Sequence, residues 1–367
     1  MNFKVPENIY IEKNCVSNHK NEICAFGKKA LIVTGCSSSR KNCSLDDIIL
    51  VLNEGKIPFS VFDQVEENPS VETVFKASRV ALESGCDFVI GIGGGSPLDC
   101  AKAAAILAAN PDEAEDCLYN PKALGYLPVI AVPTTCGTGS EVTPYSVLTN
   151  HKIGTKKSLP HKVYPALALI DGKYLLNADR RIIINTALDA LSHLVESHLN
   201  SKADKVSRGF SEYGLELWAE NKDFLLNGGA PDEKTCENLM LCSMYAGLAI
   251  SVTGTSLPHG MSYDLTYKFN VPHGKACAFF LGAYLDFCAR DFSGDIERIL
   301  SLLKLKDIRE FSEMILKLNG IFKISRQEKN VFLEKLTENK KKLSSSPCPV
   351  TTEELDLMYE KSLVIEE

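Results

Sequence analysis

Along the first half of the chain, short apolar runs alternate with amphipathic stretches. Ala30–Gly35, Phe59–Asp63, Phe88–Ile92, Val129–Val132 and Ala166–Asp171 are the apolar runs; most end in turn residues, and helical patterns such as Val71–Ser84 separate them. This is the rhythm of a parallel sheet covered by helices. From about residue 177 the strand-like punctuation fades, and helical periodicity takes over in Thr186–Leu199, Ser207–Trp218 and Lys234–Ile250. The pattern predicts an α/β domain over residues 1–177, with a Rossmann-like parallel sheet, followed by an all-α helical bundle over residues 178–367. The lysine- and serine-rich patch at Lys340–Ser346 reads as a solvated connector.

Composition adjusts this picture little. At 367 residues and 45% hydrophobic, the chain exceeds the roughly 250–300 residues at which single cores tend to split, so two domains are expected. The formal charge of −7 comes from 47 acidic and 40 basic residues spread along the length. No basic block is present that could track a phosphate backbone, and nucleic acid is not expected as a partner. The 13 cysteines include no C-x-x-C pair, which suggests reduced thiols rather than a disulfide framework. The first residues lack the apolar stretch of a signal peptide, and no window approaches the roughly 18 apolar residues of a membrane span. A cytoplasmic protein that does not engage a membrane is the expectation.

Two clusters carry chemistry. The run ending at Ile92 leads into Gly93, Gly94, Gly95, Ser96, Pro97, Leu98 and Asp99, then an alanine-rich helical stretch from Cys100 to Ala109. Consecutive glycines let backbone N–H groups approach a pyrophosphate, and the positive end of a helix faces it. Ser96 is the expected helix cap with Pro97 in the first turn, and Asp99 the partner that completes a capping box. A tight strand-to-helix turn without a ligand is the plainer alternative. Asp63, at the end of the second run, suits a ribose 2′-hydroxyl and repels a 2′-phosphate, which favours NAD(H) over NADP(H); a simple turn residue is its alternative. A second loop, Pro133 to Glu141, contains Thr134, Thr135, Thr138 and Ser140, whose hydroxyls suit phosphates or a nicotinamide amide.

The other cluster is made of metal-ligand types. Asp189 and His193 are four residues apart in a helical stretch, so their side chains project about 40° apart on one face. His198 projects about 140° from His193 and is not expected to join them. His259 and His273 are fourteen residues apart, each in a Pro-His-Gly step. Three imidazoles and a carboxylate form a mixed donor set suited to Fe(II), with Zn as the alternative, and leave positions open for a substrate oxygen. Read singly, each histidine could be a core residue; the repeated step makes chance placement a poor account of all of them.

Together these motifs resemble the iron-containing alcohol dehydrogenase family over nearly the whole chain. In that family a G-G-G-S turn and a T-T-x-G-T-G-S-E loop bind the dinucleotide, appearing here as Gly93–Ser96 and Thr134–Glu141. Its metal helix carries Asp-x-x-x-His, followed by two histidines fourteen apart, matched by Asp189, His193, His259 and His273. The resemblance implies a dehydroquinate synthase-like architecture with a cleft between the halves. It also implies cofactor contacts near Lys102, Thr134, Thr143, Leu148 and Lys156, and a homodimer or larger homo-oligomer. Glycerol dehydrogenase and dehydroquinate synthase share the architecture but generally use three protein ligands, usually on zinc, and the fourth candidate here argues against them.

Many members carry a further histidine four residues after the third ligand, where this chain has Tyr263. The residues around His259 and His273 look more like the phosphonoacetaldehyde reductase branch, which makes 2-hydroxyethylphosphonate. The expected activity is metal-dependent, nicotinamide-linked aldehyde reduction or alcohol oxidation, with His259 and His273 at the reacting centre. Water, the ribose hydroxyl and Tyr263 are open candidates for proton relay. Glu196 is a candidate to orient a ligand, and Lys156, Lys157, Lys162 and Lys275 are candidates to meet a phosphonate. A general short-chain alcohol dehydrogenase, a non-redox metal enzyme and a catalytically idle nucleotide-binding protein are the competing readings.

Overall fold

The computed structural model describes residues 4–152 and 154–367, and the chain divides into two compact units. The first comprises residues up to Asp179 together with Pro231–Met240, and the second Arg180–Ala230 and Leu241–Glu367. The short return of Pro231–Met240 to the first unit is not part of the continuous split at residue 177. It packs where Gly172 lies; a Cβ there would fall 2.9 Å from the Glu237 nitrogen.

In the first unit the strands are β1 (Asn8–Ile11), β2 (Ala30–Gly35), β3 (Phe59–Val65), β4 (Phe88–Gly93), β5 (Val129–Pro133), β6 (Val147–Asn150), β7 (Thr155–Ser158) and β8 (Leu167–Ile170). Six of them form a parallel sheet in the order β1-β8-β5-β4-β2-β3. The β1 edge and the antiparallel β6–β7 pair were not expected from the apolar pattern, because short half-buried segments carry little periodicity. The central strands are almost wholly apolar and buried, with Thr34 as a buried polar exception in β2, and alternate side chains feed two cores. Leu31, Val33 and Val89 face one side, and Ala30, Ile32, Phe88, Ile90 and Ile92 the other. A sheet buried on both faces needs such continuous runs. The Val71–Ser84 helix starts where Ser70 accepts a hydrogen bond from the Thr73 amide and ends at Gly85.

The second unit is built from helices. Arg180–His198 packs on Lys205–Glu220, and Leu257–Phe269 and His273–Ala278 lie against it. The crossing of the first pair is close: a Cβ on Gly214 would lie 2.3 Å from Leu194 Cδ2, and the buried Trp218 donates its indole N–H to the Ala187 carbonyl at 2.9 Å. Lys340–Ser346 departs from the expected solvated connector. Its first residues form a helical turn, and Lys342, Ser345 and Ser346 are buried because the turn packs over Gly260. Among the described residues no single helix is long and apolar enough to cross a membrane.

Candidate metal and dinucleotide sites

In the first unit the glycine run is fitted to its own surroundings. Gly93 has φ +143°, and a Cβ there would meet Pro97 Cγ at 2.7 Å, so the turn requires glycine. Side chains on Gly94 and Gly95 would strike Thr135 and Thr138, at 2.9 and 2.7 Å. The glycine turn and the threonine loop therefore lie against each other, joined by the Thr134 N–H donating to the Gly93 carbonyl at 2.9 Å.

The capping arrangement differs from expectation. The helix runs from Gly95 to Ala109 with Gly94 as its cap residue and no side-chain cap. Ser96 Oγ instead accepts the Asn68 N–H at 3.0 Å. Asp99 is turned sideways, accepting from Ser140 Oγ at 2.7 Å and from the Val147 N–H at 2.8 Å. The chain enters the helix two residues earlier than serine capping would allow, and the carboxylate serves the neighbouring loop. The first helical N–H groups are thereby left without a side-chain cap, and such groups are the ones that bind anions.

Lys102 lies under the same loop. Fully buried, its ammonium donates to the Ser140 carbonyl and hydroxyl and to the carbonyls of Thr143 and Tyr145, all within 2.9 Å. Burial pulls it down to about 8, with Asp99 and Glu141 opposing. Its role is to hold the loop that presents Ser140, Thr143 and Thr138. Thr134 and Thr143 are buried, Leu148 is fully buried in the core, and Lys156 donates to Asn68 Oδ1 at 2.7 Å. Asn68, with φ +58°, joins Ser96, Lys156 and Thr149. Only its backbone conformation marks it, and that is invisible in the sequence.

Asp63 is on the edge strand β3, one strand removed from β4. Its carboxylate takes the Arg40 guanidinium at 2.9 Å. The pairing reduces the repulsion that a lone acid would direct at a 2′-phosphate.

In the second unit, folding brings the four expected ligands together. Asp189 Oδ1 stands 3.9 Å from His193 Nε2, 3.7 Å from His259 Nε2 and 4.0 Å from His273 Nε2. Ligand atoms about a tetrahedral ion with bonds near 2.1 Å are about 3.4 Å apart, so each imidazole nitrogen stands within about 0.6 Å of that spacing from the Asp189 oxygen. Asp189, His193 and His259 are buried, and the His193 and His259 rings stack with centroids 4.6 Å apart. The set whose atoms all lie within 4.8 Å of one another is Asp189, His259, His273 and Cys277. Cys277 was missed, although its i+4 spacing from His273 is legible in the sequence; its Sγ is 3.8 Å from His273 Nε2. His198 is turned away, as the helical geometry requires, bonded to Ser211 Oγ at 3.1 Å.

Glu196 orients a ligand other than its helix neighbour His193. Its Oε1 meets His259 Nδ1 at 2.5 Å, and Oε2 accepts the Ser256 N–H. Fully buried, it is pushed up to about 7 by desolvation, against the pull of Lys342. A carboxylate on one ring nitrogen fixes the tautomer so that the other faces the metal. Tyr263 lies parallel to His273, centroids 6.2 Å apart. Burial raises its phenol well above the usual value, so it remains a hydrogen-bond donor. Lys342, expected from the sequence to be part of a solvated connector, sits 5.5 Å from the Tyr263 ring centroid.

The comparisons with known proteins agree with this geometry. Residues 6–172 match the family described as iron-containing alcohol dehydrogenase, and residues 183–331 match the C-terminal part of the Fe-containing alcohol dehydrogenase family. The crystal structure of an iron-containing alcohol dehydrogenase from Thermotoga maritima superposes with a TM-score of 0.91 at 33% identity, covering 99% of each chain. The chain belongs to the iron-containing alcohol dehydrogenase family. The enzyme is thus an oxidoreductase, which sets aside the non-redox and idle readings. It is also similar to the NADPH-dependent butanol dehydrogenase of Clostridium saccharobutylicum, 29% identical over 83% of this chain and 77% of that one. Against the bifunctional aldehyde-alcohol dehydrogenase AdhE of Escherichia coli it is 29% identical over 78% of its length, but spans 34% of that protein.

Proposed function

We propose that the enzyme is a metal-dependent aldehyde reductase using NAD(H), and that its substrate is phosphonoacetaldehyde, reduced to 2-hydroxyethylphosphonate. The observation that carries the metal assignment is Asp189 Oδ1 facing three imidazole nitrogens at 3.7–4.0 Å. Asp189, His193, His259 and His273 would hold the ion, and their mixed donor chemistry fits Fe(II) or Zn. When bound, such an ion supplies Lewis-acid polarisation of a carbonyl, and a nicotinamide supplies the hydride.

The chain's own residues do the rest. Gly93–Ser96 and the uncapped start of the Gly95–Ala109 helix offer N–H groups to a pyrophosphate. Lys102 and Asp99 hold the Thr134–Thr143 loop beside that turn. Glu196 keeps His259 oriented, and Tyr263 offers a phenol O–H beside His273. The phosphonate reading is supported by the residues around His259 and His273. NAD(H) is the reading from Asp63, weakened by Arg40.

A second reading, a general short-chain primary alcohol dehydrogenase, is favoured by the likeness to butanol dehydrogenase. An anaerobic panel separates them: NADH and NADPH oxidation by the Fe(II)- and Zn-loaded enzyme with phosphonoacetaldehyde, butanal, glyceraldehyde and lactaldehyde. Preference for an uncharged aldehyde would overturn the phosphonate reading.

A further inference from the structure

Among the described residues, the buried lysines differ in the acceptors they meet. Lys102 has four oxygens within 2.9 Å. Lys329, 3% exposed, has Asp356 at 2.6 Å and Glu360 at 2.9 Å. Lys342, 8% exposed, donates to a neutral hydroxyl, Thr255 Oγ1, and lies over the Tyr263 ring, with no ion pair to a carboxylate seen among the described residues. An ammonium carries three N–H donors. Two are therefore unspent on the protein, in a place where an uncompensated charge is expensive.

Its surroundings show where the unspent donors are. Thr255 precedes the Leu257–Phe269 helix that carries His259, and the Tyr263 ring beneath the ammonium lies parallel to His273. Lys342 lies in the field of the Glu196 carboxyl and near the Cys277 thiol, which is in contact with His273. Glu196 is directed elsewhere, its two carboxylate oxygens meeting His259 and Ser256. Burial draws the ammonium down to about 8, so it remains mostly charged at neutral pH, and a bound anion would reverse that depression. Of the four lysines considered from sequence, Lys156 is the buried one, but it belongs to the first unit and lies in the field of the Asp99 carboxylate. Lys156 donates to Asn68, Lys157 lies over the Tyr119 ring, Lys162 is exposed and Lys275 is half-buried.

We infer that Lys342 is a specificity-determining residue that binds the anionic end of the substrate, so that the site selects short aldehydes bearing a phosphonate, sulfonate or carboxylate. The inference rests on the aldehyde-reductase reading and extends it to a class of oxyanion-bearing substrates. A charge-assisted pair in a desolvated site contributes about 1.5–3 kcal/mol, which at 1.4 kcal/mol per decade is roughly 10- to 100-fold.

The test compares wild type, Lys342→Met and Lys342→Arg as metal-loaded enzyme. The readout is the ratio of kcat/KM for phosphonoacetaldehyde, sulfoacetaldehyde and succinic semialdehyde to that for butanal. Calorimetric binding of methylphosphonate and thermal unfolding accompany it. The expected result is a ratio that falls roughly 10- to 100-fold in Lys342→Met and is largely restored in Lys342→Arg, with methylphosphonate affinity falling in parallel. The arginine variant keeps the test valid if the methionine variant unfolds: a ratio lost in a charge-preserving variant that folds normally would overturn the inference. A wild-type preference for phosphonoacetaldehyde that survives in Lys342→Met overturns the role of Lys342 and leaves the phosphonate reading standing. A wild-type preference for a sulfonate or carboxylate, lost in Lys342→Met, supports Lys342 and overturns phosphonoacetaldehyde as substrate. A wild-type preference for butanal overturns both.

Discussion

The two Pro-His-Gly steps look equivalent in sequence, yet the structure predicts that their glycines differ sharply. A Cβ on Gly274 would fall 1.9 Å from the Asn185 carbonyl oxygen, 2.8 Å from the Asp189 nitrogen and 2.9 Å from Asp189 Cβ. The obstacle is the backbone of the helix that carries Asp189 and His193. Rotating a side chain cannot relieve it, so the helices must separate by about 1.5 Å before ordinary contact distance is reached. Because His273 and Asp189 sit on these two helices, the 4.0 Å spacing between their ligand atoms widens with them. On Gly260 the nearest atoms to an added Cβ are Leu336 Cδ1 at 3.1 Å and Lys342 Cγ at 3.2 Å, both side chains that can shift by a few tenths of an ångström. Gly274→Ala should therefore destabilise by about 2–3 kcal/mol, the upper range of overpacking, and weaken metal binding at least tenfold. Gly260→Ala should lose no more than about 1 kcal/mol. Urea unfolding of the metal-free proteins and Zn titration against a chromophoric chelator measure the two effects. A Gly274→Ala protein that unfolds within about 0.5 kcal/mol of wild type and keeps wild-type Zn affinity would refute the reasoning.

Glu196→Gln keeps the shape but removes the charge behind His259; metal affinity should fall roughly 10- to 100-fold, read by the same competition, and an unchanged affinity would show that the 2.5 Å contact does not tune the ligand. Lys102→Met leaves three carbonyls and a hydroxyl without their buried donor, and should cost about 3–5 kcal/mol by the measure of broken buried charged networks; thermal unfolding that shifts by less than a few degrees would contradict it. Glu141 is 2% exposed and pushed up by burial to about 7, from 4.5. A carboxyl raised in the folded state contributes stability that is complete below pH 4.5 and lost as pH rises through about 7, so wild-type stability relative to Glu141→Gln should decline over that window. A parallel pH dependence in the two proteins would dismiss the assignment. Removing Asp63 as serine should raise NADPH use relative to NADH, because Arg40 is then released to meet a 2′-phosphate; steady-state kinetics with both nucleotides decides it.

The sequence by itself determined most of the elements and much of the cluster. Short apolar runs bounded by turn residues read as strands, and β2 to β5 and β8 are where those runs lie, with β3 half-buried at the sheet edge. Helical geometry alone put Asp189 and His193 on one face and excluded His198. Local patterns of this kind survive translation into structure because period and turn chemistry are properties of neighbouring residues. What the sequence could not give was partnership between distant segments. Ser96 and Asp99 looked like a capping pair but were taken by Asn68, Ser140 and Val147. Asp63 looked unopposed until Arg40 folded onto it. Glu196 was near His193 in sequence, and the fold gave it to His259 instead. Lys342 was read as part of a solvated patch, since a lysine among lysines carries no local sign of burial; only the packing of that turn over Gly260 removed it from water and set its charge beside Tyr263. Hydrogen bonds and desolvation depend on which segments meet, and that is decided by tertiary packing.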